Sequence, residues 1–291
     1  MTNQLAATFR NLLQNRNYIT GVGARDALEA KMIQRAGFDF VWSSGFCISA
    51  SYGLPDASIL SMKTFVEEAL AIKEAINIPI IYDGDTGYGN AINVIYLTKI
   101  LDEAGIAALC LEDKRFPKDT SLLAGGRQEL LDAKEFAGKI RAAKDAQKSK
   151  DFTVIARTEA LIAGMGQQEA LDRAMLYTEA GADCIFIHSK SKTPDEIIQF
   201  VNAWTSPVPL VLVPTSYPDL TEDKIEELGK VKVIIYANQV LRAAIKASQE
   251  VLSEIKRSKG VKKIENTIAT LDEVFDLQDI KSMKQNEKKY L

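Results

Sequence analysis

A closed (β/α)8 barrel of the TIM type is the fold this sequence predicts, and three observations carry it. Eight short apolar runs recur along the 291 residues. Each is rich in Ile, Val, Leu or Phe without strict alternation, as expected of a strand buried on both faces. Segments with helical spacing separate the runs, and that repetition implies parallel pairing through right-handed crossovers. An open, doubly wound sheet is the alternative. Eight near-equal units leave no obvious second domain, and single barrels often run to roughly 250 residues, so closure is favoured.

The predicted strands, in order, are Tyr18–Val22, Asp39–Ser43, Pro79–Asp83, Ala107–Glu112, Phe152–Arg157, Asp183–Ile187, Pro209–Val213 and Lys232–Tyr236. Between the second and third, Ser61–Ile76 places Phe65, Ala69, Ile72 and Ile76 on one helical face. Gln167–Ala180 does the same with Ala170, Leu171, Ala174 and Tyr177. Thr193–Trp204 opens on Thr-Pro-Asp-Glu, a cap followed by proline and two acids in the first turn. Gly105 and Gly181 each read as a helix stop before the next strand. Residues 1–255 are assigned to the barrel and 256–291 to a C-terminal helical extension of the same domain. The Lys/Ser/Gly-rich opening of that extension reads as a linker. Leu271, Val274, Phe275, Leu277 and Ile280 then predict an amphipathic helix that docks on this subunit or on a neighbour.

Composition narrows the function. Lys and Arg total 36 against 39 Asp and Glu, a net charge of -3, without the basic excess of a nucleic-acid binder. No apolar run approaches the roughly 18 residues of a membrane span. The first residues lack the apolar centre of a signal peptide, so a cytoplasmic location is expected. The cysteines, Cys47, Cys110 and Cys184, are odd in number and widely spaced. They read as reduced packing thiols rather than a disulfide framework or a zinc site.

In this fold the chemistry sits at the C-terminal ends of the strands. The second strand leads into Trp42-Ser-Ser44-Gly45-Phe46, the third into Asp83-Gly-Asp85-Thr-Gly-Tyr-Gly-Asn90, and the fourth into Glu112-Asp-Lys114. The fifth leads into Arg157-Thr-Glu159, the sixth to His188, the seventh to Thr215 and the eighth to Asn238. Asp83, Asp85 and Glu112 offer hard oxygen ligands with no His or Cys beside them, a set suited to Mg²⁺ or Mn²⁺. Arg157 carries a planar fork for anionic oxygens, and His188, the sole histidine, is a second candidate for holding an anion. The backbone of Ser44-Gly45-Phe46 is a further candidate to face an anion. Gly87 and Gly89 read as a tight turn, since no Gly-Lys-Ser/Thr follows to make a nucleotide loop. Residues 114–130 form a long connection. It reads either as a lid hinged at Gly125-Gly126, carrying Lys118, Thr120, Ser121 and Arg127 to the site, or as a solvated surface loop.

These segments together resemble the isocitrate lyase and phosphoenolpyruvate mutase superfamily over nearly the whole chain. The resemblance rests on WSSGF (42–46), DGDTGYGN (83–90), EDKRFPKDTS (112–121), IARTEALIAG (155–164), IHSKSKTPDE (187–196) and VPLVLVPTSYP (208–218). Lyases of the superfamily carry a cysteine in the 114–130 connection, and none is present here. In the mutase branch that connection continues with Asn-Ser. Here it reads Thr120-Ser121, the pattern of members that hydrolyse phosphonopyruvate. The family pattern His-Asn after the first strand is replaced by Arg25-Asp26, and no role is assigned there.

What the resemblance implies is specific. The substrate would be a small phosphonate, 3-phosphonopyruvate, cleaved to pyruvate and phosphate. The alternative is its interconversion with phosphoenolpyruvate. Asp85 would ligate Mg²⁺, with Mn²⁺ a substitute, while Asp56, Asp83 and Glu112 would act largely through bound water. Thr120, Lys118, His188, Arg157 and Asp56 would form the catalytic set. Trp42, Ser44, Gly45, Phe46, Arg157, Glu159, His188 and Ser121 would bind substrate. A homotetramer, a dimer of dimers with the C-terminal helices exchanged between subunits, would be the assembly.

Overall fold

The computed structural model describes residues 3–291. After helix α1 (Gln4–Asn15), strands and helices alternate: β1 (Ile19–Ala24), α2 (Ala27–Arg35), β2 (Phe40–Ser43), α3 (Gly45–Ser51), α4 (Met62–Ala75), β3 (Ile80–Asp83), α5 (Ala91–Glu103) and β4 (Ala108–Glu112). Then follow α6 (Ala133–Ala146), β5 (Thr153–Thr158), α7 (Gly166–Glu179), β6 (Cys184–Ile187), α8 (Asp195–Ala203), β7 (Leu210–Leu212), α9 (Glu222–Glu227) and β8 (Val231–Tyr236). The chain ends with α10 (Gln239–Ser258), α11 (Leu271–Leu277) and α12 (Ile280–Tyr290). The eight strands pair in sequence order, all parallel, and β8 closes on β1. The expected barrel is therefore the observed one.

Two apolar layers hold it. Inside the barrel, Ile19, Phe40, Trp42, Ile81, Cys110, Ile155, Cys184, Phe186, Val211 and Val233 fill the lumen. Outside, the opposite faces of the same strands meet the helices through Val41, Ile80, Leu109, Val154, Ile185 and Ile234, with Phe65, Ile72, Leu97, Phe136 and Tyr177 on the helical side. Burial on both faces is why the runs do not alternate. All three cysteines are buried and unpaired. Burial pushes the Cys47 and Cys184 thiols up to about 12, so they remain neutral packing groups.

Three features differ from the sequence reading. The first strand continues to Ala24, because Gly23 and Ala24 pair with Trp42 and Ser43 although neither prolongs the apolar run. Gly21 in that strand lies under Phe40, whose ring stands 2.3 Å from where a Cβ would be. Helix α1 was not expected. Its Ala6, Phe9 and Leu13 enter the lumen cluster, Phe9 lies edge-on to Phe40 at 6.0 Å, and the Asn3 amide donates to Ile106 O at 2.7 Å. It stoppers the lower end of the barrel. Finally, the linker expected from Lys256 begins three residues later. Helix α10 runs through Ser258 and stops where Lys259 turns left-handed at φ 53° and caps Ile255 O.

The expected C-terminal amphipathic helix is two helices, broken at Asp279 with φ 57°. Helix α11 docks on α2 of the same chain, where Arg35 meets Asp276 at 2.5 Å and Lys31 donates to Leu277 O at 2.8 Å. Among the described residues no helix is long and apolar enough to cross a membrane.

Candidate active site

Parallel register sets the site at the upper rim. Glu112 and Arg157 are neighbours in the β4–β5 ladder, so a carboxylate and a guanidinium stand side by side. The turn after β3 is pinned to the end of β4. Gly84 N donates to Cys110 O and Glu112 N donates to Asp85 O, each at 2.8 Å. From α6, Lys139 Nζ donates to Thr86 O at 2.7 Å. Asp85 takes a left-handed φ of 48° there, and Gly87 follows at φ 87°. A Cβ on Gly87 would fall 2.5 Å from Val94. Glycine thus lets the turn fold tightly enough to aim Asp85 inward.

The 113–132 connection is closed over the rim. Its ends are stapled by Arg115 N to Glu129 O at 2.9 Å and Leu131 N to Asp113 O at 2.8 Å. Lys118 enters the acidic cluster with its side chain only 5% exposed. Its ammonium lies 2.5 Å from Asp85 Oδ1, 3.1 Å from Asp56 Oδ2 and 3.6 Å from Glu112 Oε1. Asp83 lies beside the cluster and accepts a hydrogen bond from Gly45 N at 3.1 Å. Burial pushes the Asp83 carboxyl up to about 6 against the pull of Lys118 and Arg157. Burial also raises Asp85, and the neighbouring Asp56, Asp83 and Glu112 add to it. At Glu112 burial is outweighed by Lys118, Arg157 and Lys114, and the net shift is downward.

Four acids crowded around one ammonium are short of positive charge. Asp56 Oδ1, Asp85 Oδ2 and both Glu112 oxygens are buried and accept no hydrogen bond. In this closed arrangement no three of the described His, Cys, Asp or Glu side chains converge as a ready metal site. Lys118 stands among the four acids. The donor set itself is all hard oxygen and suits a small divalent cation.

A second cluster faces the first. Arg157 pairs with Glu159 through Nε, donates to Ser121 Oγ at 3.0 Å and lies 2.8 Å from His188 Nδ1. Its guanidinium also stacks over Phe186, 4.8 Å from the ring centre. Arginine cannot accept, so His188 Nδ1 is the acceptor and the imidazole hydrogen is assigned to Nε2. Burial lowers the His188 imidazole below its ordinary value, in keeping with a neutral ring. Glu159 is wholly buried, 3.1 Å from His188 Nδ1 and 3.7 Å from Lys114 Nζ.

Between the clusters lies a cavity of about 150 Å³, room for roughly five waters at ~30 Å³ each. It is lined by Trp42, Ser44, Phe46, Asp56, Asp83, Lys118, Thr120, Ser121, Leu122, Arg157, Phe186, His188, Val213, Thr215, Ala237 and Asn238. Most of the residues singled out in the sequence therefore share one small chamber.

Several expectations need correction. Glu159 does not line the chamber. Its Oε1 pairs with Arg157 and its Oε2 faces Lys114 at 3.7 Å, so it sits behind the wall and braces it. Gly45 lies behind the wall, with its N–H already given to Asp83. Ser44-Gly45-Phe46 is not a loop but the start of α3, where the Ser44 hydroxyl accepts from Cys47 N at 3.2 Å. Arg127 stays outside, donating to Pro117 O at 3.0 Å. Arg25 and Asp26 are structural: Asp26 caps α2 by accepting from Glu29 N at 2.8 Å, and Arg25 pairs with Glu29 at 3.2 Å. Thr215 and Asn238, placed at the strand ends by the sequence but given no role there, both line the chamber. Leu122, Phe186, Val213 and Ala237 line it too and were not singled out.

A sequence profile described as phosphoenolpyruvate phosphomutase matches residues 9–256, nearly the whole barrel. The chain belongs to the phosphoenolpyruvate phosphomutase family. Family relatives include a phosphonopyruvate hydrolase of Variovorax sp. (strain Pal2), 50% identical over 282 residues that cover 97% of either chain. A phosphoenolpyruvate phosphomutase of Tetrahymena pyriformis is 42% identical and covers 97% of this chain and 94% of its own. A solved structure of a phosphonopyruvate hydrolase in complex with oxalate and Mg²⁺ superposes with a TM-score of 0.93. It is 47% identical and covers all of this chain and 99% of that one. Hydrolases and mutases of the phosphomutase family thus resemble the chain at similar levels, and the choice between the two reactions rests on the chamber.

Proposed function

We propose that this chain hydrolyses 3-phosphonopyruvate to pyruvate and phosphate with Mg²⁺ as its metal. The observation that carries the reading is the setting of Thr120. Its hydroxyl lines the chamber and donates to Asp56 O at 2.8 Å. With its one hydrogen spent on the backbone, the oxygen meets the chamber only as an acceptor. That is the polarity required to hold and orient a water by one of its hydrogens. An asparagine here would fill more of the chamber and present an N–H₂ group as well.

The buried oxygens of Asp56, Asp85 and Glu112 fit a Mg²⁺ ion, and the solved relative binds one together with oxalate. Asp85 would be the direct ligand, and Asp56, Asp83 and Glu112 would hold its waters. When bound, the ion supplies Lewis-acid polarisation of the ketone and carboxylate oxygens of the pyruvate half. The chain supplies the rest. Arg157 and the His188 Nε2–H bind phosphonate oxygens, and Ser121 adds a hydroxyl. The closed 113–132 connection excludes bulk water, and Lys118 balances the charge that grows as the P–C bond lengthens. Phosphoryl transfer of this kind passes through a loose transition state, so positioning and charge outweigh covalent help. The ordered water delivers OH to phosphorus and its hydrogen to the carbon released as pyruvate.

Phosphorus NMR of the purified chain with phosphonopyruvate and Mg²⁺ tests this. A growing inorganic phosphate signal is expected. A phosphoenolpyruvate signal without phosphate would make the chain a mutase, the reading favoured by the Tetrahymena relative.

A further inference from the structure

We propose that Lys114 is a positioning residue, a buried latch that holds residues 115–130 closed and fixes the direction of the Ser121 hydroxyl. Lys114 is 1% exposed, and lysine is almost never so buried unless its ammonium is fully partnered. Its Nζ donates to Asp119 O and to Ser121 Oγ, both at 2.8 Å, and stands 3.7 Å from Glu159 Oε2. Two of its hydrogens are given to acceptors on the closing segment, one on each side of Thr120. The third partner, Glu159 on the rim, is met as an ion pair at 3.7 Å and not as a hydrogen bond. Lys114 does not itself line the chamber.

The latch has a consequence for Ser121. The Ser121 oxygen accepts from Lys114 at 2.8 Å and from Arg157 at 3.0 Å. A hydroxyl has two acceptor positions and one hydrogen. With both acceptor positions facing cations, the hydrogen turns to the remaining direction, and Ser121 lines the chamber. Closure therefore converts a serine of either polarity into a donor aimed at an anion. Opening would strip the Lys114 ammonium of two of its three partners. This donor role of Ser121 rests on the phosphonate reading above. The latch does not.

The experiment is hydrogen exchange on the full, unliganded chain. In Lys114→Met, amides of residues 116–128 should exchange at least about tenfold faster, while β4 and β5 keep their protection. Unchanged exchange in that segment with an intact barrel overturns the latch. Should Lys114→Met also lose barrel protection, Ser121→Ala decides, because it removes one of the two latch contacts from the side of the closing segment. There, an acceleration of about threefold or more is expected, and none overturns the proposal. With phosphonopyruvate, both variants should lose kcat about a hundredfold with KM within about threefold, and the double variant should lose no more than Lys114→Met alone. Additive losses would assign Lys114 a general structural role instead. Absence of turnover in the unsubstituted chain would defeat the phosphonate reading, and exchange alone would still decide the latch.

Discussion

Lys118 Nζ lies 2.5 Å from Asp85 Oδ1, at the centre of the carboxylates that would receive a divalent cation. One positive charge on the closing segment and one metal therefore answer to the same acids. Lys118→Met should tighten Mg²⁺ binding to the substrate-free chain several-fold, since no ammonium competes. It should also lower turnover of phosphonopyruvate by two orders of magnitude or more, in line with the usual effect of removing a transition-state charge partner. Calorimetric titration with Mg²⁺ alone separates the two effects. Weaker metal binding in the variant would show that lysine and ion act as allies.

Thr120→Asn is expected to cut phosphate release at least tenfold and to leave the fold unchanged, because the one hydrogen bond of the Thr120 side chain is to Asp56 O and its other polar contacts are through the backbone. Phosphorus NMR of the variant also reads any phosphoenolpyruvate formed. Phosphate release at the original rate would remove Thr120 from the choice of reaction.

Arg157→Lys keeps the charge but loses the fork that serves Glu159, Ser121 and His188 together and the stacking on Phe186. Losses of about 10²–10³ in kcat/KM are expected, since lysine cannot reproduce planar, multiply donating recognition. Steady-state kinetics checks this, and a loss under fivefold would mean that charge alone suffices.

Glu159 supplies a pH signature. Burial alone would raise its carboxyl, but Arg157 above all, with Lys114 close by, holds it well below the ordinary 4.5. The folded chain thus favours the ionised form more than the unfolded chain does. That contribution is present above pH 4.5 and is lost as pH falls through the folded value. Glu159→Gln should cost about 3 kcal/mol at pH 7, the usual scale for breaking a buried pair. In urea titrations at decreasing pH the gap between variant and parent should narrow. A gap independent of pH would place the cost in packing.

The barrel was readable because its strands are buried on both faces. Runs such as Ala107–Glu112 and Asp183–Ile187 carry Ile, Leu and Phe where a one-sided strand would carry polar residues. Rim residues followed from the rule that parallel strands present their C-terminal ends together, and Asp85, Arg157 and His188 were found that way. What escaped were facts of orientation. Nothing in Arg157-Thr-Glu159 says that the second charge serves the first, or that the Gly45 N–H is already taken by Asp83. Lys114 was visible only as the end of a strand, since a charged residue reads as solvated until its acceptors are placed around it. Helix α1 was missed because a short amphipathic segment before the first strand looks the same whether it caps a barrel or lies on its flank.

That helix has a kinetic meaning. With Phe9 and Leu13 packed into the lower end of the lumen, that end of the barrel is filled and the chamber lies at the opposite rim. If the proposed hydrolysis holds, substrate would enter and products would leave past the segment that carries Lys118 and Thr120. On that reading each turnover would need the segment to open once, and the strength of the Lys114 contacts would then bear on the rate as much as on the geometry.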